Sequence, residues 1–462
     1  PPTINRYYTT WEEEVSTTHT TWVDPEPSAG FYPLKLTFTP PAEGKYLVMA
    51  CATLSNSSIS YYTDWQFLRE TAGTTTEICR RQYKPRQVGD YVPFGTHNVM
   101  ALGPQEYTFK MQFRTSDAGG TALMRHARIM IFRVEGYYHE VDEPVSSTTE
   151  TTYQDKTILS FTPPATDDYL VVSSVSITGD RTDRHFYTRL TYDGVSQGEI
   201  AREPTVAGNY HSYQIMRVVT LTSTPHTFKI QYKSEGGATA TIKNSRISAV
   251  RLGDLGIDAN YTEVEDASVT TSTDYVDKAT LTFSPSPSQY GDYLVMGFCL
   301  LKGSKTSQKA YARLVIDDVS YGERSFRPDT TSDCIPLLVF KKYRTSPDSH
   351  TIKLQYRTGH SSMAVTCSNA RILAIKVNTL QSYSDTGITP CHAFNSTKHT
   401  VHIYGYGYQY YWEATPPAGM PYKVAYYDAD GTMIYSHSIE SSLNRSLSSS
   451  YDLRTDVGAK AG

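Results

Sequence analysis

Apolar and polar residues alternate through Thr108-Phe109-Lys110-Met111-Gln112-Phe113, so Phe109, Met111 and Phe113 share one face of a strand and the polar residues take the other. The same phase returns in Thr227-Phe228-Lys229-Ile230-Gln231-Tyr232 and in Thr351-Ile352-Lys353-Leu354-Gln355-Tyr356. Each copy is followed by a Gly-containing turn and a strand carrying Arg128-Ile129, Arg246-Ile247 or Arg371-Ile372. Earlier in each unit, Phe38-Thr39-Pro40-Pro41 with Tyr46-Leu47-Val48-Met49 matches Phe161-Thr162-Pro163-Pro164 with Tyr169-Leu170-Val171-Val172, and Phe283-Ser284-Pro285 with Tyr293-Leu294-Val295-Met296. Ordered blocks at a constant offset of about 123 residues mean one supersecondary unit copied three times.

Turn residues punctuate each unit at short intervals, as in Ser116-Asp117-Ala118-Gly119-Gly120, Tyr192-Asp193-Gly194 and Glu235-Gly236-Gly237, and no window keeps a helical period. Seven to nine short strands per unit of roughly 120 residues predict a two-sheet sandwich. The expected organisation is repeat 1 with a short N-terminal arm (1–136), repeat 2 (137–259), repeat 3 (260–380) and a C-terminal β-domain (381–462), the three repeats following one another as a rod. Lys110, Lys229 and Lys353 fall on the solvent face. A Lys–Asn isopeptide crosslink through Asn244 or Asn369 is not demanded by the spacing.

In the tail, Thr400 to Tyr408 reads as a Tyr/Gly-rich strand, and Tyr422–Tyr427 meets Thr432–Tyr435 across the hairpin signal Asp428-Ala429-Asp430-Gly431.

The strand order of the repeats resembles the jelly-roll sandwiches of the C1q and tumour-necrosis-factor-like class, and also repeat modules of prokaryotic, especially archaeal, extracellular proteins; it covers about residues 9 to 380. The tail resembles immunoglobulin-like modules of prokaryotic surface proteins, in which Y-Y-D-A-D-G precedes a closing strand. Together these imply an all-β chain, three tandem jelly-roll-like β-sandwich repeats followed by a smaller immunoglobulin-like β-domain. The sequence stops at Ala461-Gly462 where that closing strand is expected. An open sheet edge then calls for either processing of a C-terminal anchor or a strand donated by a neighbouring subunit, with Pro1 to Tyr8 as the donor candidate.

Composition narrows the function. Tyrosine is the dominant aromatic at 37 residues and charged residues are only 19%, which suits half-buried pleated surfaces. The 43 basic and 47 acidic residues are spread without blocks, so a nucleic-acid footprint and a polybasic membrane patch are not expected. No apolar run is long enough to span a bilayer, and the opening Pro1-Pro2-Thr3 reads as a processed N-terminus.

Six cysteines, none in a C-x-x-C pair, favour disulfides in an extracellular setting; the most local pairing is Cys51 with Cys79, Cys299 with Cys334, and Cys367 with Cys391, with buried thiols as the alternative. Sequons at Asn56, Asn260, Asn395 and Asn444 are candidate glycan acceptors.

Gly194-Val195-Ser196-Gln197-Gly198 spells a nucleophile elbow, but its flanks read as two arms of a hairpin instead of strand and helix. Asp428 to Gly431 lacks the remainder of a calcium loop. His399 and His402, three apart on a strand, point to opposite faces, and Glu12-Glu13-Glu14 alternates in the same way. No catalytic, cofactor or metal residue is therefore assigned. The expected role is a self-associating structural subunit of an extracellular filament, sheath or surface layer. The competing role is a multivalent adhesin that binds surface glycans, for which Trp11, Trp22 and Trp65 would supply aromatic faces.

Overall fold

The computed structural model of the protein describes residues 6–11, 14–25, 34–85, 87–204, 206–255, 259–285, 292–345, 348–376, 380–382, 400–405, 408–413, 422–427 and 433–439. These fall into two compact units, Pro1–Ser384 and Asp385–Gly462.

Each repeat has eight strands, the first split into two short segments. In repeat 2 they run Tyr137–Asp142 with Ser146–Thr148, Gln154–Phe161, Asp167–Gly179, Phe186–Tyr192, Val195–Arg202, His211–Leu221, His226–Ser234 and Ala240–Arg251. Numbered in chain order within the repeat, they form one sheet in the order 1-8-3-6 and a second in the order 2-7-4-5. All of these pairings are antiparallel, and the order is that of a jelly roll. Repeats 1 and 3 use the same order.

Local chemistry explains the regularity. The hairpin between strands 4 and 5 turns on two residues with positive φ, Ala72-Gly73, Asp193-Gly194 and Asp317-Asp318 in the three copies, the backbone that a two-residue hairpin requires. In repeats 2 and 3 that Asp also receives the start of strand 7: Thr227 N donates to Asp193 Oδ1 (2.7 Å) and Thr351 N to Asp317 Oδ1 (2.8 Å). His226 Nδ1 lies 2.8 Å from Asp193 Oδ2, and His350 Nδ1 lies 2.5 Å from Asp317 Oδ2. This is the reason for the His-Thr pair that opens strand 7 in those two copies.

Strand 7 keeps the expected alternation, buried and half-buried by turns in all three repeats. Strand 3 does not. From Tyr46 to Asn56 every residue is buried. Tyr46, Val48, Ala50, Ala52 and Leu54 fill the sandwich of repeat 1, while Leu47, Met49 and Cys51 join a separate core shared with repeats 2 and 3. At its centre Leu47, Leu170 and Leu294 line one small cavity with Met49, Met296, Phe132 and Ile375. The three inner sheets thus face a common centre. The expected rod is corrected to a closed group of three, because the Tyr-Leu-Val strand is apolar on both faces and must bury both.

Closure extends to the backbone. Arg6–Trp11 pairs antiparallel with Phe132–Ala127 on one side, and Arg6–Tyr8 pairs parallel with Leu380–Ser382 on the other. The arm proposed as a donor to another subunit is therefore the first strand of its own repeat, with both edges used within the chain; residues 1–5 lie outside the described residues. Repeats 2 and 3 also join one sheet to another through the Ala201↔Cys334 bridge.

In the tail, Thr400–Gly405 pairs with Tyr408–Glu413, with Gly405 opposite Tyr408, so the stretch read as one strand folds back on itself. Tyr422–Tyr427 pairs with Met433–Ile439 as a hairpin. Asp428 to Gly431, His399 and the chain end at Gly462 lie outside the described residues.

Candidate functional site at the junctions between repeats

The strand-8 arginine occupies the same place in every copy, opposite Thr10, Val141 and Glu263 of strand 1 for Arg128, Arg246 and Arg371 respectively. Two residues earlier, His126, Asn244 and Asn369 take φ of 51°, 50° and 50°. The register with strand 3 slips at this point in each copy, between Cys51 and Thr53, Ser174 and Ser176, and Phe298 and Leu300. This bulge re-aims the strand, as bulges do, and the arginine that follows leaves its own sandwich for the preceding one.

Arg246 Nη2 donates to Ile78 O (2.8 Å) and its Nη1 to Thr96 Oγ1 (3.0 Å) and His97 O (3.4 Å), all in strands 5 and 6 of repeat 1. Arg371 repeats the arrangement on repeat 2, donating to Gln197 O and Met216 O, both at 2.8 Å. Arg128 completes the cycle on repeat 3, its guanidinium 6.0 Å from the Phe340 ring and close enough to Gly322 that a Cβ there would lie 3.1 Å from Nη2. Each arginine is at most 2% exposed.

A buried guanidinium needs a counter-charge. Arg246 pairs with Glu143, and Arg371 Nε donates to Glu265 Oε1 at 2.9 Å with Glu263 beside it. Burial raises the Glu263 pKa against the pull of Arg371. Glu265 is also partly desolvated, but its hydrogen bond from Arg371 holds its carboxyl below the usual range.

A second tie comes from the loop before strand 6. The same turn is closed by Asp90 N to Gln87 O, Asn209 N to Val206 O and Asp333 N to Thr330 O. Asp333 receives Arg202 of repeat 2 (3.3 Å), which also pairs with Asp329, and Asp90 receives Arg327 of repeat 3 (3.0 Å). Burial opposes the charge on Arg202, but the two aspartates more than offset it and raise its pKa. The repeat 1–2 junction has Asn209 instead, 3% exposed, with neither side-chain polar atom hydrogen-bonded among the described residues.

The outer sheet face also repeats. Asp155 accepts from Lys229 (2.7 Å) and Gln231 (2.6 Å), Asp277 from Gln355 (2.6 Å) with Lys353 at 3.4 Å, and Asp24 from Gln112 (2.7 Å) with Lys110 at 3.5 Å. The lysines of the K-x-Q motif are thus anchored to their own sheet. Trp22, Tyr153 and Tyr275 stand at one position and each is covered by cations, Arg114 at 4.6 Å, Arg189 at 3.7 Å and Arg313 at 3.8 Å from the ring centroid. Matching by residue type missed this series, since Trp22 recurs as Tyr; counting back from the aspartate finds it.

The other sequence candidates fall as follows. Cys51, Cys79, Cys299, Cys334 and Cys367 are all thiols. Cys51 faces the shared centre and Cys79 the repeat 1 sandwich, so the pairing proposed for them joins two different cores. The register brings Cys299 beside Cys367 rather than Cys334, since Leu301 lies opposite Cys367. The Cys367 thiol and burial together raise the Cys299 pKa, and burial pushes that of Cys334 up to about 12. Cys391 lies outside the described residues.

Asn56 is fully buried and its Nδ2 donates to Tyr62 O, Thr63 Oγ1 and Thr115 Oγ1, so the folded chain withholds it as a glycan acceptor. Asn260 lies on strand 1 of repeat 3, half-buried; Asn395 and Asn444 lie outside the described residues.

Gly194 sits in the strand 4–5 turn at φ 83°, and Gly198 sits at a junction at φ 131°, where a Cβ would be 3.2 Å from Leu300. Each glycine of that motif has a backbone reason to be there. Glu14 accepts from Tyr91; Glu12 and Glu13 lie outside the described residues. Trp65 is buried in the repeat 1 core.

No family model matches the sequence, and no curated protein sequence matches it. Among solved structures, the chain is similar to the subject of "The Triple Jelly Roll Fold and Turret Assembly in an Archaeal Virus" at 11% identity, with 81% of this chain and 91% of that chain covered and a TM-score of 0.19. A structure of Sulfolobus Turreted Icosahedral Virus aligns at 11% identity over 80% and 92% of the two chains, TM-score 0.18. The insecticidal delta-endotoxin Cry8Ea1 of Bacillus thuringiensis aligns at 8% identity over 54% of each chain, TM-score 0.19. At such scores the whole-chain superposition carries no weight. The class rests on the strand order itself: this is an all-β protein whose first unit holds three jelly rolls. Among the described residues no helix is long and apolar enough to cross a membrane.

Proposed function

We propose that the chain is a non-catalytic structural subunit of an extracellular assembly, a filament, sheath or surface layer, in which the closed group of three jelly rolls is the building block and copies of the chain associate with one another. The observation that carries this reading is the cyclic set Arg128, Arg246 and Arg371. Each repeat commits a buried charge and an inner sheet face to holding its neighbour, an arrangement that favours rigidity over motion. The tail unit, read as an immunoglobulin-like module, and the kinship of the repeats with the C1q and tumour-necrosis-factor-like class belong to the same proposal. So do cell-surface location and the absence of cofactor, nucleic acid and membrane insertion. Negative-stain microscopy of native material tests it: particles with a regular axial or planar repeat support the subunit role, and dispersed particles at high concentration refute it.

The adhesin reading has one specific observation in its favour, the recurrence of Trp22, Tyr153 and Tyr275 on the outer sheets. Against it, cationic side chains stack on those rings where a sugar face would lie. Binding on a glycan array that is lost in Trp22→Ala would establish it.

A further inference from the structure

We infer that the junction between repeats 1 and 2 holds a small inorganic anion of the halide class beside Arg81. Arg81 lies on strand 5 of repeat 1 and is 2% exposed. Its Nη1 donates to Arg80 O (2.9 Å), and the Asn244 side-chain oxygen lies 3.1 Å from the same nitrogen once that amide is oriented to give its NH2 to Glu143. Its Nε and Nη2, both enclosed, have no hydrogen-bond partner among the described residues.

The local charges do not balance. Arg81, Arg246 and Lys243 converge here, with Lys243 Nζ stacked 4.0 Å from the Tyr210 ring. Among the described residues, the carboxylates near them are Glu143, already engaged by Arg246 and Asn244, and Glu77, which is exposed. The residue next to Tyr210 is Asn209, which stands where the other two junctions place Asp90 and Asp333, so this junction lacks the loop carboxylate that answers Arg327 and Arg202 there. Burial lowers the Arg81 pKa; Cys79 opposes the fall and the Arg246 charge adds to it.

An enclosed guanidinium with two idle donors is unfavourable unless an acceptor reaches it, and an anion also answers its charge. A halide needs only N–H donors and no acceptors of its own, and donors are what Arg81 Nε and Nη2 offer.

The test uses the full chain. Crystals soaked in bromide should give an anomalous peak within hydrogen-bonding distance of Arg81 Nη2. In solution at fixed ionic strength, exchanging gluconate for chloride should raise Tm by about 2 °C, saturating. Lys243→Gln, at a half-buried position, should shift that dependence to higher chloride, and Arg81→Met should abolish it. A featureless bromide map at Arg81, or an equal chloride response in wild type and Arg81→Met, overturns the proposal and leaves water as the occupant. Should Arg81→Met fail to fold, the bromide map and Lys243→Gln decide.

Discussion

Arg371 sits in a low-dielectric junction with two carboxylates, and its value is clearest from what its removal leaves behind. Arg371→Met should strand Glu265, while Glu263 keeps Arg217 at 3.3 Å, and destabilise the fold by about 2–4 kcal/mol, read by chemical denaturation, with Glu265→Gln in the same chain recovering part of the loss. Two neutral histidines make the repeat 1–2 junction sensitive to acid. Burial holds His97 well below its ordinary value of 6.5 and His139 at about 4, with Arg246 adding to both, and the two rings meet edge to face at 6.3 Å. The charged groups around them are Arg246 and Lys45, besides Asn98 and Ser248 hydrogen-bonded to His139. Since the unfolded chain binds these protons first, stability falls as pH drops below 6.5, and the part of the loss due to His139 levels off near pH 4. Replacing His139 by Gln should flatten that slope by about 2–3 kcal/mol across the interval. Melting curves from pH 7 to 4 measure it, and identical slopes in both proteins would remove His139 from the account.

At the scale of the element, alternation was legible in sequence wherever one face meets solvent: strand 7 and its anchored lysines follow directly from Thr-x-Lys-x-Gln. Strand 3 was harder. Its unbroken Tyr-Leu-Val-Met run can mean only that both faces are buried, yet the sequence does not say what covers the second face. The arginines of strand 8 were visible as a repeated motif, but their destination depends on a bulge two residues earlier, where Asn looks like any polar residue and His126 breaks even that pattern. The pairings of Cys51 with Cys79 and of Cys299 with Cys334 differ from the structure for a related reason, since proximity in sequence ignores which face of a strand each thiol takes. Glycine at the junctions is more constrained than composition implies. Gly322 has φ +61° and a Cβ there would come within 2.8 Å of Val339 and 3.1 Å of Arg128. Gly322→Ala should cost about 1–3 kcal/mol, against at most about 1 kcal/mol for Gly73→Ala in an open hairpin turn, both by thermal melting.

For the molecule as a whole, the shared centre makes the repeats mutually dependent. Leu170 and Val172 in repeat 2 lie in the core shared with repeats 1 and 3, so residues 137–255 expressed alone should aggregate or bind a hydrophobic dye, whereas residues 1–384 should stay monodisperse. Size-exclusion chromatography separates the outcomes. Deleting residues 1–11 removes the strand between Phe132–Ala127 and Leu380–Ser382, and limited proteolysis should then cut first in repeat 1 or after residue 376.

That pairing of Arg6–Tyr8 with Leu380–Ser382 also carries a timetable. During synthesis repeat 1 is finished at Val134, but the last strand that seals it is made some 240 residues later, tens of seconds at ordinary translation speed. Through that interval Leu47, Met49 and Phe132 have no cover from the third repeat. A chaperone that lingers on the nascent first repeat, or a slow final step in refolding that is absent when the chain is cut after residue 376, is the kinetic trace such an order of events should leave.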